Sequence, residues 1–368
     1  MTAGSSIREL PVPEQVSIPI FQHIGAPPKI IVERGDEVVI GQPIAFSEGF
    51  ISASIHSPVS GKVFKIDNVT DISGYKRTSV IIKVEGDKWK DTIDRSPELN
   101  TKIELDPQEI ILRVHKMGIV GMGGATFPTH VKLSIPRGKE ADYLLVNGAE
   151  CEPYLTSDHA LMLEKADEIL IGISIMMKAL RVEKSIIGIE NNKMDAILHL
   201  REHAEKYQGI DVQELKVKYP QGGEKQLIKA LINREVPSGA LPIDVGAIVF
   251  NVGTMFAVYE AVQKNKPLIE RVVTITGKGL ANPGNFMVRI GTPVSALIEA
   301  AGGLPENTGK VISGGPMMGK ALNSLEVPVI KGTSGVTLLT EAESKRKETK
   351  NCIRCTKCVS VCPMGLEP

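Results

Sequence analysis

Residues 118–133 read GIVGMGGATFPTHVKL, and the reading of this stretch decides the fold. Gly118, Gly121, Gly123 and Gly124 fall within seven residues. Glycines so spaced let a backbone approach a ligand closely and aim N–H groups at phosphate oxygens. Lys132 follows and adds a positive charge. The order of the glycines is not the G-x-G-x-x-G of a Rossmann turn, and a solvated surface loop can be equally glycine-rich. The flanks therefore carry the argument. Upstream, DPQEIILRVHKMG reads as a helix capped by Asp106 with Pro107 at its first position. Downstream, DYLLVNGAE and SIIGIE read as buried strands. TSDHALMLEKADEILIGISIMMKAL reads as one long amphipathic helix with Ser157 or Asp158 near its cap. Three further helices follow in NKMDAILHLREHAEKY, GEKQLIKALINRE and TMFAVYEAVQK. This rhythm predicts an α/β unit over 106–265 with a largely parallel sheet.

The chain changes character on both sides of that unit. Residues 15–95 alternate short apolar runs with turn signals such as RGDE and SPVSGK, which predicts a β-rich domain. Its pattern, VERGDEVVIGQPIAF followed by ISASIHSPVSGKVFKI, looks like a barrel-sandwich of the biotinyl/lipoyl type. A carrier of that type needs a lysine on the exposed hairpin between its halves. The corresponding tip here, SEGFISA, has none, so a structural or docking domain is expected. Residues 268–340 return to short strands around one helix, TPVSALIEAAGG, with Thr292 as cap and Gly302 as stop, and predict a small α+β unit. EAESKRKETK reads as a charged helical connector to residues 350–368. No period of 20–50 residues marks a solenoid.

Composition bounds the function. At 368 residues several domains are expected. Lys plus Arg equals Asp plus Glu at 43 each, which gives no support for nucleic-acid binding. No apolar run reaches the roughly 18 residues of a membrane helix. MTAGSSIREL has no apolar core, so no signal peptide and a reducing setting are expected, with cysteines as metal ligands rather than disulfides.

Four of the five cysteines form Cys-x2-Cys-x2-Cys-x3-Cys-Pro: Cys352, Cys355, Cys358, Cys362 and Pro363. This is the bacterial ferredoxin spacing for iron–sulfur ligation. In two-cluster ferredoxins the fourth cysteine of a run serves the other cluster. A second run is therefore expected, and the only other cysteine, Cys151, lies far upstream. The expectation is a first half of a two-cluster domain, with the second motif beyond Pro368.

Three tempting sites read as bland. GGPMMGKA (314–321) nearly makes a Walker A loop, but Ala321 stands where a hydroxyl would hold Mg²⁺. His199 and His203 lie four apart on a helix with no third ligand apparent, which fits a solvated face. Cys151 has no histidine partner readable from sequence.

The extended glycine string resembles the flavin- and NADH-binding subunit of respiratory complex I, whose loop reads close to GLRGRGGAGFPTGLKW. Gly118, Gly121, Gly123, Gly124, Ala125, Phe127, Pro128, Thr129 and Lys132 match it, with Met122 in place of an arginine. VNGAECEPY resembles the same family's N-x-D-E-x-E-P. Asn147, Glu150, Glu152 and Pro153 match, Ala149 replaces an aspartate and Cys151 a serine. In YPQGGEKQL, Tyr219, Gly222, Glu224 and Leu227 match, and Gly223 replaces an acid. In FNVGTMF, Asn251, Val252 and Thr254 match, while Phe250 and Gly253 do not. Four segments in order make coincidence a poor explanation. Domain order draws the resemblance toward the RnfC family, which belongs to the Rnf complex, the membrane-bound ferredoxin:NAD oxidoreductase. That family opens with a QHIGAP segment and a GDxVxxGQxI turn, here at 22–27 and 35–44, and carries NPGNFMVRIGTP, here at 282–293.

The resemblance implies a multidomain α/β chain. It has a barrel-sandwich at 15–95, a Rossmann-like flavin/NADH domain at 106–265, a β-grasp domain of SLBB type at 268–340 and the start of a ferredoxin-like domain at 350–368. It implies FMN and NAD(H) held by Gly121, Gly123, Gly124, Ala125, Phe127, Lys132, Asn147, Glu150, Glu152, Tyr219, Gly222, Glu224, Asn251 and Thr254. It implies [4Fe–4S] clusters on Cys352, Cys355, Cys358 and Cys362, two in the full-length protein and incomplete here. No catalytic acid or base is assigned. A nicotinamide gives two electrons as hydride and a cluster takes one at a time, so a flavin belongs between them. The implied partners are other Rnf subunits and ferredoxin-like proteins, and the implied place is peripheral, on the cytoplasmic face of the membrane. Two alternatives remain at this point: an electron-transfer protein of an amino-acid reductase with the same architecture, or a scaffold that lost its flavin.

Overall fold

The structure is a computed structural model that describes residues 2–346, 348–362 and 365–367. Eight strands come first: β1 (Ile7–Glu9), β2 (Gln15–Pro19), β3 (Lys29–Ile30), β4 (Glu37–Val38), β5 (Pro43–Phe46), β6 (Ile55–His56), β7 (Gly61–Thr70) and β8 (Lys76–Val84). Strands β2-β8-β7-β4 form one sheet and β3-β5-β6 another. Val16, Ile18, Ile44, Val80 and Ile82 are fully buried between them, the product of alternating apolar residues on short strands. Strand β1 belongs elsewhere. It leaves the barrel and pairs, in parallel, with a strand of the third unit. The sequence pattern starts the barrel at 15 and predicts no element for this segment. Three residues ahead of Pro11 and Pro13 are too few to show a period.

The middle unit runs α1 (Pro107–Lys116), α2 (Thr129–Leu133), β9 (Tyr143–Asn147), α3 (Ser157–Glu164), α4 (Ala166–Leu180), β10 (Lys184–Glu190), α5 (Met194–Ala204), β11 (Ile210–Leu215), α6 (Glu224–Ile232), β12 (Ala247–Asn251) and α7 (Val252–Gln263). Asp106 caps α1, as the sequence predicts, and Glu109 completes a capping box with it. The sheet order is β11-β10-β9-β12 with every pair parallel. Helices cover both faces of such a sheet, so its strands are continuous apolar runs; Leu144, Leu145 and Val146 of β9 are all fully buried. Strand order reverses between β9 and β12. A reversal of this kind opens a crevice at the carboxyl ends of the two strands.

The helix expected over 156–180 is two helices. Lys165, at φ −130° and ψ 35°, leaves helical geometry between α3 and α4. The cap expected at Ser157 or Asp158 lies at Thr156, whose side chain makes no capping hydrogen bond.

The third unit holds β13 (Glu270–Thr276), β14 (Gly284–Arg289), α8 (Val294–Ala300), β15 (Thr308–Ser313), β16 (Lys320–Ala321) and β17 (Gly335–Thr340). With β1 on its edge the sheet reads β1-β14-β13-β17-β15-β16, and α8 packs Leu297 and Ile298 on it. The expected cap Thr292 is buried two residues before the helix, and Pro293 occupies the cap position. Gly302, at φ +100°, stands just past its end.

Among the described residues of the charged connector, only α9 (Glu341–Ser344) is helical, and α10 (Lys357–Val361) follows. Cys352, Cys355 and Cys358 are exposed and Cys362 is partly buried. Among the described residues no three His, Cys, Asp or Glu side chains converge as a metal site, so the four cysteines are not brought together. Pro363 and Pro368 lie outside the described residues. Among the described residues, no helix is long and apolar enough to cross a membrane.

The three units meet at Lys331, which is fully buried. Its Nζ donates to the carbonyls of Ser54 (2.8 Å) and Gly118 (2.7 Å), and its backbone N–H donates to Gln22 Oε1 (3.0 Å). Burial pushes the amine down to about 7. Gly118 has φ +66°, and a side chain there would collide with the Ser54 carbonyl.

Candidate functional site

The crevice at the strand reversal is a cavity of about 730 Å³. Asn147 and Asn251 end β9 and β12 opposite one another. Asn147 donates from Nδ2 to the Gly222 carbonyl (2.8 Å) and accepts at Oδ1 from the Ala149 N–H (3.1 Å). Asn251 caps α7 by accepting from the Gly253 N–H (2.8 Å) and donates to Asp158 Oδ2 (2.6 Å). Both amides are thereby fixed in orientation.

The glycine loop lies across these strand ends. The Gly121 N–H donates to the Phe127 carbonyl (2.9 Å) and closes the loop at its base. The Met122 N–H donates to Thr254 Oγ1 (3.0 Å), a fully buried hydroxyl that holds the loop from beneath. A Cβ on Gly123 would sit 3.2 Å from the Asn251 Cβ, so a larger residue would lift the loop off the strand end. Gly124 takes φ +118° with open space where a side chain would project. Lys132, on α2, donates to Glu224 Oε1 (2.6 Å) and the Val249 carbonyl (3.0 Å). Its ammonium also lies 5.5 Å from the Phe250 ring centroid.

Of the residues singled out in the sequence, Gly121, Gly123, Ala125, Phe127, Lys132, Asn147, Gly222, Glu224 and Asn251 line this one cavity. Gly124 and Thr254 shape the loop without lining it. Tyr219 is 38% exposed and lies outside the lining. The acidic loop departs furthest from expectation. Glu150 accepts from Ser157 Oγ (3.1 Å) and from the N–H groups of Asp158 (2.9 Å) and His159 (3.1 Å). It therefore caps α3 from seven residues upstream and does not face the cavity. The first N–H groups of a helix need acceptors, and Thr156 supplies none. Burial, then the charge of Asp158, pushes Glu150 up to about 7.

Glu152 accepts from the N–H groups of Met317 (3.1 Å) and Met318 (2.6 Å). The GGPMMGKA loop thus does bind an anion through its backbone, but the anion is this chain's own carboxylate. His199 and His203 stack at 4.4 Å between ring centroids beside Asp167, with no metal constellation among the described residues. Burial pushes the Cys151 thiol up, which opposes a nucleophilic role. Ala149 is fully buried and outside the lining, so nothing there stands in for the aspartate of the complex I pattern.

Several lining residues escape the sequence reading, two of them from another domain. Ile24 and Phe50 reach the cavity from the barrel. The available signal was the apolar character of the SEGFISA tip, where a carrier would place its lysine.

Three family models match parts of the chain. Residues 1–87 match the RnfC barrel sandwich hybrid domain, 114–260 the Nuo51 FMN-binding domain, and 272–321 the SLBB domain. The chain is 47% identical over 370 residues to the RnfC component of the proton-translocating ferredoxin:NAD(+) oxidoreductase complex of Clostridium ljungdahlii, covering 100% of this chain and 80% of that one. It is 47% identical over 357 residues to the corresponding component of the Na(+)-translocating complex of Acetobacterium woodii, covering 97% and 80%. Against the counterpart in the ion-translocating oxidoreductase complex of Rhodobacter capsulatus the identity is 42% over 372 residues, covering 100% and 71%. Among solved structures, an NAD+-reducing [NiFe]-hydrogenase in the H2-reduced state superposes with TM-score 0.53 at 20% identity, over 63% of this chain and 46% of that one. That likeness speaks to the fold alone.

Proposed function

The chain belongs to the RnfC family of ion-translocating ferredoxin:NAD oxidoreductase complexes, and from that premise we propose that its central cavity passes electrons between NAD(H) and iron–sulfur centres through FMN. The observation that carries the reading is the convergence of nine residues, drawn from four separate sequence segments, on one cavity at the strand reversal. Bound there, FMN would supply the conversion between two-electron hydride chemistry and single-electron transfer.

The residues present fit such a group. Gly121, Gly123 and Gly124 allow close backbone approach to its phosphate, and Gly124 leaves open space on that side. Lys132 stands at the wall with its charge available to an anion, in competition with Glu224. Asn147 and Asn251, with amides held by their neighbours, orient a ring system at the strand ends. Hydride transfer needs positioning more than acid–base help, which suits a floor of fixed amides. Cys352, Cys355 and Cys358 would hold three corners of one iron–sulfur centre and Cys362 would serve a second, and their spacing supports that role. The chain would act peripherally at the cytoplasmic face of the membrane, beside membrane subunits of the same complex.

An absorbance spectrum of the purified chain without oxygen, before and after NADH, tests the reading. The flavin band is expected and should bleach on addition. A colourless chain that cannot be reconstituted with FMN would overturn the proposal in favour of a docking scaffold.

A further inference from the structure

Arg271 stands on β13 of the third unit, yet its guanidinium lies behind the glycine loop of the central one. The residue is 4% exposed. It donates from Nη2 to the Met122 carbonyl (3.4 Å), from Nη1 to the Lys331 carbonyl and from Nε to the Val272 carbonyl (3.3 Å). Carbonyl oxygens carry partial charge only. Among the described residues, the carboxylate whose charge acts on it is that of Asp158, which already accepts from Asn251 Nδ2 (2.6 Å). Burial pushes the guanidinium down to about 10, which still leaves it charged at neutral pH. A charge taken out of water is costly unless opposite charge stands near it.

Met122 is gripped at both of its backbone groups. Its N–H is held by Thr254 Oγ1 (3.0 Å) and its carbonyl by Arg271. A trans peptide unit is planar, so a carbonyl and the N–H of the next residue point opposite ways. With the Met122 carbonyl turned back toward Arg271, the Gly123 N–H is turned away from it. Among the described residues that N–H has no acceptor, and Gly123 lines the cavity. Gly124 beside it leaves open space. The loop therefore carries an unused donor in front and a fixed cation behind. Lys132, the cation on the cavity wall, differs in being neutralised by direct contact with Glu224 (2.6 Å).

We propose that Arg271 is a positioning residue of the flavin site, contributed by the third unit. It turns the Met122 peptide so that the Gly123 N–H faces the phosphate of FMN, and its charge attracts that phosphate through the back of the loop. The inference rests on the reading that FMN occupies this cavity. Arg271 touches no ligand itself, because the Met122 peptide lies between. Inside a protein a charge at this remove still acts strongly, since little water screens it. Asp158 faces the same guanidinium and works against it, so the pair sets how much positive potential reaches the loop. The third unit thereby helps to build the cofactor site without lining it.

The test is a fluorescence titration of the full chain with FMN and with riboflavin, which lacks the phosphate. The ratio of the riboflavin Kd to the FMN Kd reads what the phosphate contributes. At about pH 8.5 that phosphate carries a charge of about −2. Arg271→Met should cut the ratio about tenfold, through FMN, and leave the riboflavin Kd within about twofold. Arg271→Lys keeps the charge and should bring the ratio back to within about threefold of the wild type. Asp158→Asn removes the opposing carboxylate, keeps an acceptor for Asn251 and should raise the ratio about threefold. That variant decides the matter should Arg271→Met not fold. Equal weakening of both ligands by Arg271→Met, an unchanged ratio in it or in Asp158→Asn, or a lysine variant no better than the methionine one would overturn the inference. So would a wild-type chain that binds riboflavin as tightly as FMN, which leaves the flavin reading in place. A wild-type chain that binds neither would break the flavin reading, and this inference with it.

Discussion

Residues 118–132 and 352–362 each carry a short-spaced motif for a redox ligand, and the fold treats them differently. In the first, the glycines lie against the ends of two buried parallel strands. Met122 is tied to Thr254, Gly121 to Phe127, and Lys132 to Glu224. The site is a by-product of sheet topology and exists before any ligand arrives. In the second, three of the four cysteines are exposed, and the five-residue helix among them has no buried residue. Among the described residues these side chains do not converge, so the proposed iron–sulfur centre would have to draw that segment together. Metal binding and local folding are coupled in such cases. A motif readable in sequence can therefore stand either for a cradle already built or for an instruction that needs its ligand.

Gly123→Val should break the first half of this contrast. The new side chain would push against Asn251, and overpacking of this kind costs about 1–3 kcal/mol, so FMN affinity should fall up to about 100-fold in a fluorescence titration. Unchanged affinity would show that the loop is not the cradle. Cys355→Ser tests the other half. After anaerobic reconstitution with iron and sulfide, the variant should lose most of the iron held by the wild type while binding FMN as before. A joint loss of iron and flavin would mean the two regions are one cooperative site.

The smallest effect concerns the junction behind the cradle. The Lys331 amine sits at about 7 in the fold, against about 10.4 in an unfolded chain. Between these values the unfolded chain binds the extra proton, so stability rises with pH across that window. The cost of burying the charge is complete below about pH 7 and absent above about pH 10.5. Lys331→Met does not titrate, so the melting temperature of the wild type relative to the variant should climb by a few degrees from about pH 7 to pH 9.5. A flat difference would show an amine that keeps its charge.

The central domain was legible because its strands are unbroken apolar runs and the cap of α1 sits at Asp106 as read, although that of α3 fell at Thr156 and not at Ser157 or Asp158. The cavity residues were legible through the four motifs, since nine of them meet. Glu150 and Glu152 were misleading for a physical reason. Their residue type suits a ribose hydroxyl as well as a backbone N–H, and sequence cannot say that α3 and the 314–321 loop would claim them first. Phe50 was unreadable as a cavity residue because its contact with the site depends on how two domains dock. Lys331 was equally hidden, since a lysine with fully buried contacts has no pattern to distinguish it from a surface one.

The pairing of β1 with β14 gives the molecule a schedule. Ile7 lies opposite Asn285, so the first strand leaves the ribosome roughly 280 residues ahead of its partner. At about 5–20 residues per second that is an interval of roughly 15–60 s. During it the barrel and the flavin-type domain can fold, while the leading segment has no sheet to join. The SLBB-type domain, emerging later, must reach back and collect it, which makes a late step of folding a closure of the chain upon its own beginning.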